Sequence, residues 1–177
     1  MGNDSNQLTI VGRAGKLLTA ILKVLETETA EVRIRVMMAC GKECARLPCP
    51  PEWTSSLDIV AKIVERTSDV KERIELLNQE VPWCAEWVYD ENMIFSECYE
   101  CGCLLVQDEL IKDCAVWCDC SIGWVKEILE TLLQLPVHVE LVSSIGRGDK
   151  TCKYLVKISS TSNGQFQYIR DPALFIY

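Results

Sequence analysis

Apolar residues recur every three or four positions through the first part of the chain and every second position over much of the rest. Leu17, Leu18, Ile21, Leu22 and Leu25 fall at helical spacing with Lys16, Lys23 and Glu26 on the other side, which predicts a first helix. A second is predicted over Ala30 to Arg46, with Val36, Met37, Cys40, Cys44 and Leu47 as its apolar stripe. Pro48-Cys-Pro50-Pro51 ends it. Ser55 or Ser56 caps a third helix whose apolar side is Leu57, Ile59, Val60, Ile63 and Val64. Asp69 opens a fourth, with Val70, Ile74 and Leu77 facing inward.

The period changes at Pro82. Trp87-Val-Tyr89 and Met93-Ile-Phe95 read as two short strands around the turn Asp90-Glu-Asn92, with Tyr89 opposite Met93, Trp87 opposite Phe95 and Cys84 opposite Cys98. A helix follows from Ser121 to Leu135, carrying Val125, Ile128, Leu129, Leu132 and Leu133 in register, and Pro136 stops it. In a second hairpin, placing Ser143 opposite Cys152 aligns Leu141 with Tyr154, Val139 with Val156 and Val137 with Ile158. One face is then apolar, while the other pairs His138 with Lys157 and brings Lys153 near Glu140. Gly146-Arg-Gly148-Asp149 makes the turn. These elements describe an α+β protein: a helical N-terminal half, then two β-hairpins forming a small antiparallel sheet with a helix between them. One domain over residues 1–177 is expected, with a helical part over 1–80, a sheet-and-helix part over 81–159 and a C-terminal tail over 160–177 docking on the body.

Composition narrows the chemistry. The chain has 177 residues, 49% apolar and 25% charged, as expected of a folded protein, and a net charge of −8 that disfavours nucleic acid and anionic membranes as partners. From Ile74 to Ile111 there is no Lys or Arg against nine acids, which reads as a solvated acidic face or as a negative rim around a cation. Met1-Gly-Asn-Asp-Ser-Asn lacks the basic and apolar regions of a signal peptide, and no apolar run reaches membrane-spanning length. A cytoplasmic protein with reduced thiols is the expectation.

There are eleven cysteines and one histidine, and six of the cysteines fall within 23 residues: Cys98, Cys101, Cys103, Cys114, Cys118 and Cys120. The last two stand at the start of a predicted helix, where free N–H groups and the helix dipole lower a thiol pKa. Two Cys-x-Cys pairs, Cys101/Cys103 and Cys118/Cys120, supply the four sulfurs that tetrahedral zinc or an iron–sulfur cluster needs. Cys98-x-x-Cys101 is an alternative knuckle. Cys40 and Cys44, one turn apart, suit either an ion or a core stripe. His138 lacks a nucleophile on its face, so no catalytic dyad is expected, and Glu140 reads as a partner of Lys153. Trp83, Trp87, Trp117 and Trp124 surround the cysteine segments, where Trp117 and Trp124 with Tyr154 are candidates to line an apolar ligand pocket.

From Cys118 to Ile158 the chain resembles the C-terminal half of the 4-vinyl-reductase (4VR) ligand-binding domain. The resemblance rests on Cys118, Gly123-Trp124, Pro136-Val-His-Val-Glu140, Gly148-Asp149 and Cys152-Lys-Tyr154. Cys-Gly-x-x-Cys-Ala at Cys40 and Cys-Asp-Cys-Ser at Cys118 look like an uncharacterised prokaryotic branch near this domain and the similar aminothiazoline-carboxylate hydrolases. The resemblance implies an α+β cavity domain that binds a small, often apolar, molecule. Some members are sensors and some hold zinc through Cys and Glu, which here implies Cys118, Glu140 and Cys152, with Ser144 where the family has a further Cys.

The expected function is a small-molecule-binding or sensor protein with a cysteine-ligated zinc or iron–sulfur site. The partners expected are a small apolar ligand and a second copy in a homodimer. The alternative is a small-molecule hydrolase or thiol-based enzyme using a low-pKa cysteine, with Cys120 best placed.

Overall fold

The structure, a computed structural model, describes residues 10–49, 54–81, 86–111 and 115–159. The expected docking of the tail lies outside the described residues, as do Trp83, Cys84 and Cys114. Helices α1 (Ile10–Glu26), α2 (Ala30–Arg46), α3 (Ser56–Arg66) and α4 (Val70–Glu80) fill the N-terminal half, as the periodicity predicts. Their starts follow local chemistry: the side chains of Thr29, Ser55 and Asp69 accept hydrogen bonds from the N–H groups of Val32, Asp58 and Glu72. Between α2 and α3 a two-residue ladder, β1 (Pro48–Cys49) with β2 (Thr54–Ser55), appears where the prolines predicted only a stop.

The second half holds β3 (Glu86–Asp90), β4 (Met93–Cys98), the short helix α5 (Leu104–Gln107), α6 (Cys120–Leu133), β5 (Val137–Ser143) and β6 (Cys152–Ile158). The strands form one antiparallel sheet in the order β3-β4-β6-β5, so the two hairpins join through β4 and β6. The second hairpin keeps the predicted register from Val137↔Ile158 to Leu141↔Tyr154, then a bulge moves Ser143 opposite Lys153. Lys153 pairs with Glu97 of β4 at 3.3 Å, not with Glu140. The first hairpin is shifted by one residue from expectation. Asp90 pairs with Met93 around a two-residue turn, and Trp87 faces Ser96, not Phe95. Ser96 stands between Trp87 and Tyr154 in the same row of the sheet, and its small side chain lets the two rings meet over it at 5.9 Å. The aromatic partner of Trp87 comes from a strand two places away, which a hairpin considered alone cannot show.

Helix α6 lies at the centre. It covers the inner face of the sheet through β5 and packs on its other side against α2 and α3. Val125, Ile128, Leu129, Leu132 and Leu133 are buried, as their spacing predicts. The principal core joins these to Val60, Ile63, Ile74, Leu77, Trp87, Ile94, Val139 and Val156. A smaller cluster holds Leu22 and Leu25 of α1, Met37 of α2, and Ile111 and Val116. Arg73, buried, ties three helices together by donating to the carbonyls of Leu132 at 2.7 Å, Thr67 at 2.7 Å and Val64 at 3.4 Å, where helix ends offer unpaired carbonyls.

The contact between α2 and α6 corrects the sequence reading of α2. Its buried residues are Met37, Gly41 and Ala45, whereas Val36, Cys40, Cys44 and Leu47 are exposed. The cysteine stripe is therefore not core. The reason is Gly41: a Cβ there would lie 1.8 Å from the carbonyl oxygen of Cys120. Gly123 is its counterpart, with a Cβ placed 2.1 Å from the carbonyl oxygen of Met38. The two backbones touch, and the helix turns its glycine inward in place of its cysteines.

Replacing Gly41 or Gly123 with Ala is expected to force α2 and α6 apart and cost about 3 kcal/mol, near the upper end for overpacking. Gly148→Ala serves as the control: it meets open space and costs only the strain of a φ of +94°, about 1–2 kcal/mol. Urea unfolding of the three variants tests the contrast, and equal losses would contradict it.

Candidate functional site

Among the described cysteines, Cys118 and Cys120 stand at the N-terminal end of α6. A 3-10 turn, Trp117–Asp119, leads into that helix and carries Cys118, and Cys120 is the first helical residue. Asp119 between them is buried, and it is held by Arg33 of α2 at 3.1 Å and by Arg147 of the β5–β6 turn. One carboxylate thus pins the cysteine-bearing turn to a helix and a hairpin. Ser121 Oγ donates to the carbonyl of Cys118 at 2.7 Å, and the Tyr154 hydroxyl is hydrogen bonded with Ser121.

Residues 101–103, ahead of α5, have neither helix nor strand structure. Gln107 steadies this segment by donating to the Cys101 carbonyl at 2.6 Å, and Trp117 Nε1 donates to Cys103 Sγ at 3.3 Å. Burial raises the Cys101 thiol pKa, a hydrogen bond from the Cys103 backbone opposes this, and the neighbouring Cys103, Cys152 and Cys118 raise it further. Burial likewise pushes Cys120 far up, reinforced by Cys103, Cys44, Cys118 and Cys40. The position at a helix start predicted a low pKa for Cys120. The surroundings reverse it, because desolvation and like charges outweigh the helix dipole.

Within the predicted quartet, Cys103 and Cys118 act on both Cys101 and Cys120, and Cys40 and Cys44 act on Cys120 from the α2 side. Among the described residues, no three His, Cys, Asp or Glu side chains stand close enough to hold a metal ion. The thiols fit a soft metal in kind, but the described residues do not bring three of them together. The set implied by the 4VR resemblance is divided between the two faces of the sheet. Glu140 is exposed, opposite Leu155 on the outer face of the sheet, whereas Cys152 is buried beside inward-facing Tyr154. The bulge begins after Glu140 and so does not bring the two together.

Cys152 belongs to a different arrangement, which sequence reasoning missed because it depends on the order of the hairpins. It stands directly opposite Cys98 in the β4–β6 ladder. A hydrogen bond from Cys98 lowers the Cys152 pKa to about 6, with the Ile145 N–H contributing at 3.4 Å against the opposing effects of burial and Asp149. The His138 pKa is lowered by burial.

The predicted pocket residues are divided between the two clusters. Trp124 and Tyr154 pack on the principal core, while Trp117 packs with Cys118 and Cys120 on the smaller one. Beside Tyr154, Trp87 Nε1 and Ser96 Oγ are buried without hydrogen-bond partners among the described residues, as is Ser144 Oγ next to the amide that contacts Cys152. An open depression of about 520 Å³ lies elsewhere, on α2, between Ile34, Met38, Ala39 and the charged Glu31, Arg35 and Lys42.

The chain belongs to a family of unknown function, DUF6144. The family model matches residues 16–164. None of the curated proteins compared with the chain matches it. Among solved structures it is similar to the phenol-responsive sensory domain of the transcription activator PoxR, in a crystal structure with phenol. The identity is 13% and the TM-score 0.48, over 85% of this chain and 75% of that one. Among the described residues, no helix is long and apolar enough to cross a membrane.

Removing the Cys98 donor is expected to return the Cys152 thiol toward the ordinary range. Because the folded pKa lies below the unfolded one, the stability this thiolate contributes is complete above the ordinary thiol range. It is lost as the pH falls through about 6. The alkylation rate of the peptide Thr151-Cys152-Lys153, followed against pH, should inflect near 6 in the native protein and clearly higher in Cys98→Ala. An unmoved inflection would contradict this account.

Proposed function

We propose that this protein is a small-molecule-binding sensor domain whose input centre is a zinc ion or iron–sulfur cluster held by Cys101, Cys103, Cys118 and Cys120. The observation that carries the reading is the company these thiols keep. The charges acting on Cys101 and Cys120 are those of other cysteines, and together with burial they keep protons on these two sulfurs. Four thiolates in one neighbourhood repel one another, and a soft cation relieves that repulsion while displacing the protons. The acidic tract from Ile74 to Ile111 offers no Lys or Arg to do the same. Closing the site requires the 101–103 segment to draw in toward Cys118 and Cys120, which its lack of regular structure favours.

The ligand-binding part of the proposal draws on the inner face of the sheet. Trp87 Nε1 and Ser96 Oγ, buried and unpartnered beside Tyr154, suit an aromatic or otherwise apolar molecule bearing one polar group. The resemblance of residues 118–158 to the 4VR domain supports the same reading. A thiol enzyme built on Cys120 loses its main support, because that thiol is pushed up and not down.

Metal content, acid-labile sulfide and a visible spectrum on anaerobically purified protein test the proposal. Stoichiometric zinc or a cluster is expected, with most of it lost in a Cys118→Ser/Cys120→Ser variant that keeps its far-UV circular dichroism. Metal-free protein with every thiol open to titration would overturn it.

A further inference from the structure

Cys98 ends β4 and Cys152 begins β6, and the register sets them directly opposite each other. They share the face of the sheet that bears Ile94, Ser96, Tyr154 and Val156, the face α6 covers. Directly opposed residues of antiparallel strands have Cα atoms about 4.5–5.5 Å apart, inside the roughly 4.4–6.8 Å that a disulfide spans. Both cysteines are reduced and their side chains are hydrogen bonded to each other. Cys98 is half-buried and Cys152 buried, so the approach to the pair is from the Cys98 side. Two buried hydroxyls without partners flank it: Ser96, two residues before Cys98 on the same face, and Ser144, beside the Ile145 amide that contacts Cys152.

We propose that Cys98 and Cys152 form a dithiol site that reduces a small hydroperoxide and closes as a disulfide between β4 and β6. The Cys152 thiolate attacks one oxygen of the O–O bond. That bond breaks, leaving Cys152 as the sulfenic acid, and the departing oxygen takes a proton to become water or an alcohol. The sulfur of Cys98 then attacks the sulfenic sulfur. The S–S bond forms, the S–O bond breaks, and the released hydroxide takes the Cys98 proton to give water. The two thiols are oxidised by two electrons and the peroxide is reduced by the same two.

The position makes the reaction consequential. The β4–β6 ladder is the pairing that joins the two hairpins, and the bridge would tie it covalently while closing the chain segment that carries α5 and α6. The site uses none of the four sulfurs assigned to the metal centre, so the two proposals stand or fall separately.

The test treats the reduced, full-length protein with equimolar hydrogen peroxide, blocks the remaining thiols and digests with trypsin and a glutamate-specific protease. Cleavage after Glu97 and Glu100, and after Lys150 and Lys153, releases Cys98-Tyr-Glu100 and Thr151-Cys152-Lys153. The expected product is these two peptides joined, lighter than their sum by two hydrogens, with two thiols lost per chain. Cys152 recovered unlinked, or linked to any other cysteine, overturns the proposal. In Cys98→Ser, Cys152 is expected to accumulate as a sulfenic acid trapped by dimedone, an adduct that native protein does not build up. A folded Cys98→Ser protein without the adduct counts equally against it. If that variant fails to fold, the peptide map of the native protein decides alone.

Discussion

The direct contact between the backbones of α2 and α6 organises this molecule. Gly41 rests on the Cys120 carbonyl and Gly123 on that of Met38, so each helix presents its one side-chain-free position to the other. Glycine inside a helix costs about 1 kcal/mol relative to alanine, and the close approach offsets that cost by bringing whole helix faces into contact. Ion pairs bracket the crossing: Arg33 with Asp119 at one end, and Lys42 and Arg46 with Glu127 at the other. Because the contact falls on the first turns of α6, it also sets where the cysteines lie. Cys40 and Cys44 flank Gly41 along α2, which is why they act on Cys120 without being buried.

This arrangement explains what could be read from the sequence and what could not. Helix boundaries were legible because caps and apolar periods are local, and α2 runs over the predicted Ala30–Arg46. Its buried face was not. Cysteine ranks as apolar and glycine as neutral, so the stripe was centred on Cys40 and Cys44, one residue from the true contact at Gly41. The signal that could have corrected it is a lone glycine within each of the two helices, Gly41 and Gly123. The second hairpin was legible through Leu141 because alternation fixes register. Its bulge, which depends on the Ser144–Asp149 hydrogen bonding in the turn, was not. The hairpin alone gives Trp87 the neighbour Phe95, whereas strand order brings it Tyr154.

The candidate site follows the same division. That Cys118 and Cys120 sit at a helix start was legible, and a low pKa followed from that alone. The structure adds what the spacing lacked: Asp119 is drawn inward by two arginines, and Cys120 lies partly buried among other thiols, those of α2 included. Desolvation and four neighbouring thiols then decide the sign. A helix terminus lowers a thiol pKa only where the rest of its environment leaves it room to do so.

The described cysteines thus fall into two groups with opposite electrostatics. Around the start of α6, burial and neighbouring thiols raise the pKa of Cys101 and Cys120, so a cation binding there displaces protons. At the β4–β6 joint, a thiol donor and a backbone N–H favour one thiolate beside one thiol, the condition in which a sulfur attacks. Cys101 links them, since it feels Cys103 and Cys118 on one side and Cys152 on the other. Tyr154 is placed in the same way, since Cys152 and Cys98 act on its hydroxyl from one group and Cys118 from the other.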